Sequence, residues 1–191
     1  MTKRIVLAVV LATIGASGLF ALNWQAYPVP LKPGNIMVNL GVGFGTPLHG
    51  NMVIPPISAS FDYALGGLPF TLGALAGFMT SEYTYDYTGG YGYTYDYTGL
   101  AIAGRFGYHP DLGVKNLDVS ANLALGYYLY TAKANYNGSW SGPKPDPKDY
   151  SRLYLGFNLG GRYFFTDNVG AFLELGYSAL SFVTAGVTFR I

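Results

Sequence analysis

Beyond Pro33 the chain places an apolar residue at every second position. Ile36, Val38, Leu40, Val42 and Phe44 alternate with Asn39, Gly41 and Gly43. Successive side chains of a strand point to opposite faces, so the pattern predicts a strand with one oily face and one small or polar face. The device repeats over 57–65, 70–79 and 100–108 in the first half, then over 117–129, 153–162, 171–178 and 183–191 in the second. Leu75 is the exception on a face that otherwise carries Thr71, Gly73, Gly77 and Met79. Eight strands are predicted, each near the roughly 9–11 residues that a tilted strand needs to cross a bilayer. The uncharged run 63–81 is long enough for a membrane helix, but Gly66-Gly67-Leu68-Pro69 breaks it and the remainder alternates with period two.

The charges decide which face is outside. Asp62, Arg105, Asp118, Arg162, Glu174 and Arg190 all fall on the small or polar face, and no charge falls on any of the eight apolar faces. A wetted sheet would carry Lys, Glu and Thr there in numbers, whereas this face is mostly Gly, Ala, Ser and Asn. Such residues suit the crowded inside of a small closed barrel. The oily face then meets lipid, which rejects charge at its midplane. The expected fold is all-β: an eight-stranded antiparallel up-and-down transmembrane barrel, spanning residues 35–191. The three acidic and three basic inward residues should pair as a salt-bridged plug, because an isolated charge in a narrow lumen is costly to desolvate. The competing reading is a constriction that lines a narrow pore.

The connections carry a polarity. Those at 66–69, 109–116 and 166–168 are compact, while 46–56, 82–99 and 132–150 are longer and polar; the 178–181 link is a short exception. Short turns on one side and long loops on the other predict that the long loops face outside the cell. Lys3 and Arg4, followed by the apolar run 5–12 and small residues at Gly15, Ala16, Ser17 and Gly18, read as a signal peptide over 1–22, with cleavage between 18 and 26. An uncleaved anchor is the rival reading, since 5–22 is uncharged. Residues 23–34 are then a short periplasmic lead.

Composition agrees with this picture. Only 11% of the 191 residues are charged, against about 25% in an ordinary soluble domain, and 17% are aromatic. A formal net charge of +1 argues against nucleic-acid binding. The absence of Cys excludes disulfides, thiolate metal sites and Cys nucleophiles.

Candidate chemistry concentrates in one repeat. Tyr83-Thr84-Tyr85-Asp86-Tyr87-Thr88-Gly89 recurs unchanged as Tyr93-Thr94-Tyr95-Asp96-Tyr97-Thr98-Gly99. Tyr/Thr alternation favours strands and glycines favour a turn, so a hairpin is predicted above the third and fourth strands. Its odd-numbered tyrosines would continue the inward face over the barrel mouth. A turn at 90–92 would pair Tyr87 with Tyr95 and oppose Asp86 to Asp96, a like-charge contact calling for solvent, a cation or a basic partner. These residues, with Trp140 in the Pro- and Gly-rich loop 133–152, are the candidate ligand contacts; an aromatic girdle with a hydrophilic surface hairpin is the plainer alternative.

Enzyme signals are poor. His49 and His109 fall in connections on opposite sides of the membrane, no nucleophile motif accompanies either, and Gly41-x-Gly43-x-Gly45 is not followed by the helix a phosphate loop needs. No catalytic residue, metal site or cofactor is expected.

The leader, the eight alternating strands and the terminal Val183-x-Ala185-x-Val187-x-Phe189-x-Ile191 together resemble small outer-membrane barrels of the OmpX, OmpA-barrel and OmpW type. The resemblance is one of pattern over the whole mature chain. Those families usually end on an aromatic residue, whereas Ile191 stands here with Phe189 two positions earlier. The resemblance implies a non-enzymatic monomer in the outer membrane of a diderm bacterium, in contact with outer-membrane lipid or lipid A and inserted by the barrel-assembly machinery. It further implies no peptidoglycan-binding domain. The role expected is surface interaction with a host or extracellular ligand, or envelope integrity; the alternative is a narrow OmpW-like channel for small hydrophobic solutes.

Overall fold

The computed structural model describes residues 31–46, 50–87, 91–137 and 148–191. The expected signal peptide, most of the lead, His49 and Trp140 lie outside the described residues, and of Tyr87 only the backbone is described. Eight strands follow one another: β1 (Ile36–Phe44), β2 (Asn51–Ala64), β3 (Phe70–Tyr87), β4 (Tyr91–Tyr108), β5 (Leu117–Asn137), β6 (Tyr150–Phe164), β7 (Val169–Ser178) and β8 (Ser181–Arg190). Each pairs antiparallel with its neighbour, and β8 returns to β1 with Met37 opposite Arg190 and Phe44 opposite Val183, closing the barrel. Closure leaves no sheet edge within the barrel wall and satisfies the backbone inside the sheet.

Three strands outgrow their sequence pattern. β3 and β4 have 18 residues each and β5 has 21. Much of the expected loop sequence at 82–99 and 132–150 is therefore strand, because Tyr, Thr and Ala pair across β3–β4–β5 without interruption. β2 starts at Asn51, earlier than its alternation suggests. Its register with β3 slips between Met52 and Ile54 and again before Ile57, bracketing Pro55 and Pro56, which cannot donate to a ladder. β7 and β8 have only 10 residues each. The wall is thus tall along β3–β5 and low along β7–β8–β1. The tall side is called the upper end below, and the end with the compact turns 65–69, 109–116 and 165–168 the lower.

The hairpin register differs from expectation. Tyr87 pairs with Tyr91, Asp86 with Gly92, Tyr85 with Tyr93 and Tyr83 with Tyr95, so Asp86 does not oppose Asp96 and Tyr87 does not oppose Tyr95. The reason is continuity: the ladder that sets Phe70 against Tyr108 runs unbroken to Tyr87 and Tyr91, so the barrel register fixes every pair of the hairpin. Gly92 is needed there, since a Cβ on it would lie 2.7 Å from the Tyr85 carbonyl oxygen and 2.9 Å from Asp86 Oδ1.

Both ends of the lumen are stoppered. At the upper end the β7–β8 turn bends inward, where β7 carries a register irregularity beyond Leu175. Ala179 and Leu180 adopt positive φ (44° and 82°) and are both buried. The Ala179 N–H donates to Tyr154 Oη at 2.8 Å. The Ala179 carbonyl crowds Gly77 on β3, where an added Cβ would sit 2.8 Å from it. Leu180 packs with Leu75, Met79, Ala101, Tyr128, Tyr130 and Tyr154 into an apolar plug. At the lower end Leu31, from the lead, packs with Met37, Ala64 and Phe164, and the Gly34 N–H donates to the Ala64 carbonyl at 3.1 Å.

Candidate functional site

Between the two stoppers lies a polar cluster built from inward residues of six strands. Asp62 (β2), Arg105 (β4), Asp118 (β5), Arg162 (β6) and Glu174 (β7) are all at most 5% exposed. Arg105 clamps Glu174 with two hydrogen bonds, Nη2 to Oε1 at 2.5 Å and Nη1 to Oε2 at 3.2 Å. Its Nε stands 3.0 Å from Asp62 Oδ1, close enough for an ion pair but not aligned as a hydrogen bond. Arg162 donates to Asp62 through Nη2 and to Asp118 through Nη1 at 2.7 Å, and its Nε donates to Asn39 Oδ1 at 3.2 Å. Asn39 in turn donates to Ser60 Oγ at 2.9 Å and to Asp62 Oδ2 at 3.3 Å. Two guanidinium groups are thereby shared among three carboxylates, which is how a low-dielectric interior holds charge.

Arg190, the sixth of the inward charges, ends β8. It is half-buried at the lower rim, where its guanidinium donates to the Asp167 carbonyl and lies 4.7 Å from the centre of the Phe164 ring. Its strand parity puts it inward, but its position at the very end of β8 lets it reach the 165–168 turn instead.

Periodicity did not single out His109. It sits just past β4 and is completely buried, with Nδ1 2.8 Å from Asp118 Oδ1 and Nε2 3.1 Å from Thr71 Oγ1. Position in a compact connection reads as exposure, and no local signal contradicts that; the pairing of β3 and β5 on either side of β4 brings Thr71 and Asp118 to it. Hydroxyl, imidazole and carboxylate stand in the order used by nucleophilic triads. Here all three are sealed from solvent and Asp118 is also bound by Arg162, so the line acts as a brace between strands. Among the described residues no three His, Cys, Asp or Glu side chains gather as a metal site.

The upper end presents a second site. β3, β4 and β5 continue as a three-stranded sheet whose two faces differ. Toward the mouth lie Tyr83 and Tyr85 of β3, Tyr93, Tyr95 and Tyr97 of β4, and Tyr130 and Tyr136 of β5. Their rings form a ladder with centroid separations of 4.9 Å (Tyr83–Tyr85), 5.2 Å (Tyr85–Tyr93), 4.9 Å (Tyr93–Tyr95), 5.8 Å (Tyr95–Tyr97) and 5.5 Å (Tyr97–Tyr130). Tyr130 continues it to Tyr150 of β6 at 4.8 Å. Ala132 and Ala134 stand opposite Tyr97 and Tyr95, leaving the rings room. The hydrogen bond with Tyr85 holds the Tyr83 phenol above its ordinary range, and burial does the same for Tyr97.

The opposite face carries the charges. Glu82 opposes Asp96, and Asp96 opposes Lys133 of β5 while accepting a 2.5 Å hydrogen bond from Asn135 Nδ2. The like-charge contact expected within the hairpin is thus replaced by one that a lysine and an amide on the third strand relieve. Thr84 and Thr94 pair through their hydroxyls at 3.2 Å.

The outer wall completes the description. Leu40, Leu72, Ile102, Leu125, Leu155, Leu173 and Val187 form part of a band around the barrel, each between 45% and 69% exposed. Exposed aromatic residues stand at its lower end (Tyr63, Tyr163, Phe165) and at its upper end (Phe44, Phe182). An uncharged belt of this extent would not persist in water, and it matches the lipid-facing band with aromatic girdles of closed membrane barrels. The chain has the architecture of an eight-stranded transmembrane β-barrel. No protein-family model matches it, and no curated protein does. Among solved structures, Ail, the attachment invasion locus protein of Yersinia pestis, is similar at 12% identity, over 83% of this chain and 95% of that one. The TM-scores are 0.40 for Ail itself and 0.37 for its complex with the heparin analogue sucrose octasulfate. At that distance no residue role carries over to this barrel.

Proposed function

We propose that this barrel is a non-enzymatic surface protein whose projecting tyrosine face engages an extracellular ligand, the β3–β5 end standing outside the cell. The observation that carries the reading is the separation of the two faces. Seven tyrosines gather on one side of a sheet supported by the barrel wall, while the charges are kept on the other. Tyrosines supply large amphipathic contact area at low entropic cost, which suits recognition. Tyr83 and Tyr85 remain 39% and 43% exposed, so this area is not spent on packing alone. The filled lumen favours this role over a solute channel: the Leu180 plug, the Arg–carboxylate cluster and the Leu31 stopper follow one another along the axis.

Protease treatment of intact cells tests the orientation, with cleavage expected in the projecting β3–β4 hairpin. Cleavage confined to permeabilised cells would reverse it. Replacing Tyr83, Tyr85 and Tyr95 together by Ser should abolish attachment of barrel-expressing cells to a ligand-bearing surface while leaving the barrel in the membrane. Undiminished attachment would remove the tyrosine face from the role.

A further inference from the structure

The tyrosine ladder has a second chemical property that recognition does not use. Phenols are the residues in this chain most readily oxidised by one electron and able to couple afterwards, and none of the 191 residues is Cys. Among the described contacts between tyrosine rings directly opposite in register, Tyr93 and Tyr136 stand 6.4 Å apart, and two pairs are closer. Tyr85 and Tyr93 join β3 to β4 with ring centroids 5.2 Å apart and planes at 32°. Tyr130 and Tyr150 join β5 to β6 with centroids 4.8 Å apart and planes at 38°. Both pairs hold the rings in contact and far from perpendicular, so their ortho carbons need only a small side-chain swing to meet. One member of each pair is open to a diffusing oxidant, Tyr85 and Tyr150 both being 43% exposed.

We propose that Tyr85–Tyr93 and Tyr130–Tyr150 are oxidative cross-linking sites, at which a peroxidase acting with hydrogen peroxide staples the projecting sheet by dityrosine bonds. Each phenol gives one electron to the oxidised peroxidase and its hydroxyl proton to water. The two phenoxyl radicals join through a carbon–carbon bond between ortho positions, and the two displaced ring hydrogens return to the phenol oxygens as the rings regain aromaticity. Overall, two tyrosines and one hydrogen peroxide become one dityrosine and two waters. The ladder makes the second oxidation productive. Successive rings from Tyr83 to Tyr150 stand 4.8–5.8 Å apart. A hole created at any of them can therefore move along the series until it meets another. Such a staple would lock β3 to β4 and β5 to β6 above the membrane, where a secreted protein with cysteines would use disulfides.

The test is peptide mass spectrometry of the detergent-solubilised full-length barrel after treatment with horseradish peroxidase and hydrogen peroxide. Expected are two intramolecular cross-linked peptides, each lighter than its parts by two hydrogens, joining Tyr85 to Tyr93 and Tyr130 to Tyr150. Tyr150→Phe should remove the second link and keep the first, and Tyr85→Phe should do the reverse; the surviving link reports that the variant has folded. Prior unfolding in urea should abolish the pair selectivity. Links only between molecules, links joining Tyr127 or Tyr163 of the outer wall as often as the named pairs, or links surviving the Phe variants would each overturn the proposal.

Discussion

Within the lumen, the weight a charged residue carries depends on how completely the barrel seals it. Arg162 bridges Asp62 and Asp118 and braces Asn39, all at most 3% exposed. Removing one partner of such a buried pair costs about 3–5 kcal/mol, because the carboxylates left behind stay desolvated and lose their shared guanidinium. Arg162→Met should therefore lower stability by about that amount in urea unfolding from lipid vesicles. Arg190→Ala, at the rim, should cost about 1 kcal/mol or less. Equal effects would show that the cluster is not a stabilising unit. The inward direction of Asp62, Arg105, Asp118, Arg162, Glu174 and Arg190 was legible from period-two parity alone. Their partners were not. Parity assigns a face, whereas pairing needs the height of each strand, and height is what brings His109 to Asp118 and takes the Arg190 guanidinium to the Asp167 carbonyl.

The β7–β8 turn shows two local terms acting against each other. A non-glycine residue in the left-handed region costs roughly 1–2 kcal/mol, and both Ala179 and Leu180 accept it. Burial of Leu180 offsets this, since truncating a core Leu to Ala costs about 2–5 kcal/mol. Ala179→Gly should relieve strain and raise the unfolding midpoint by an amount equivalent to about 1 kcal/mol, while Leu180→Ala keeps the strain, opens a void and should lower it by about 2–5 kcal/mol. A stabilising Leu180→Ala would mean that the side chain does not plug the mouth. The sequence displays this link as a short exception among long connections. Nothing in four residues says that the turn folds inward, because that follows from the low wall beside it and from Gly77 across the lumen. The projecting hairpin was more legible, its exact repeat predicting two paired strands with inward tyrosines. The register differed because a repeat aligns equally well in several ways, and only continuity with the barrel ladder selects one.

For the molecule as a whole, the decisive feature is that apolar surface points outward and polar surface inward, the reverse of a soluble domain. Three successive layers occupy the lumen: apolar plug, ionic cluster and apolar stopper. The barrel reconstituted in a planar bilayer should therefore be silent under applied voltage. Steady single-channel currents would show that the layers part and would favour the channel alternative. The double variant Arg105→Met with Arg162→Met offers a sharper comparison, since loss of stability without conductance marks a structural plug, and conductance without loss of stability marks a gate.

Alternation and the one-sided placement of charge were enough to specify eight strands, their inner and outer faces and a lipid-facing exterior, because these depend only on which way neighbouring side chains point. Which charges meet, which turn stops the mouth, how far β3–β5 rise above it and which tyrosine rings touch were set by closure and register. Those properties join residues far apart in the chain, Arg162 and Asn39 by 123 positions, and no local pattern encodes a distance of that kind.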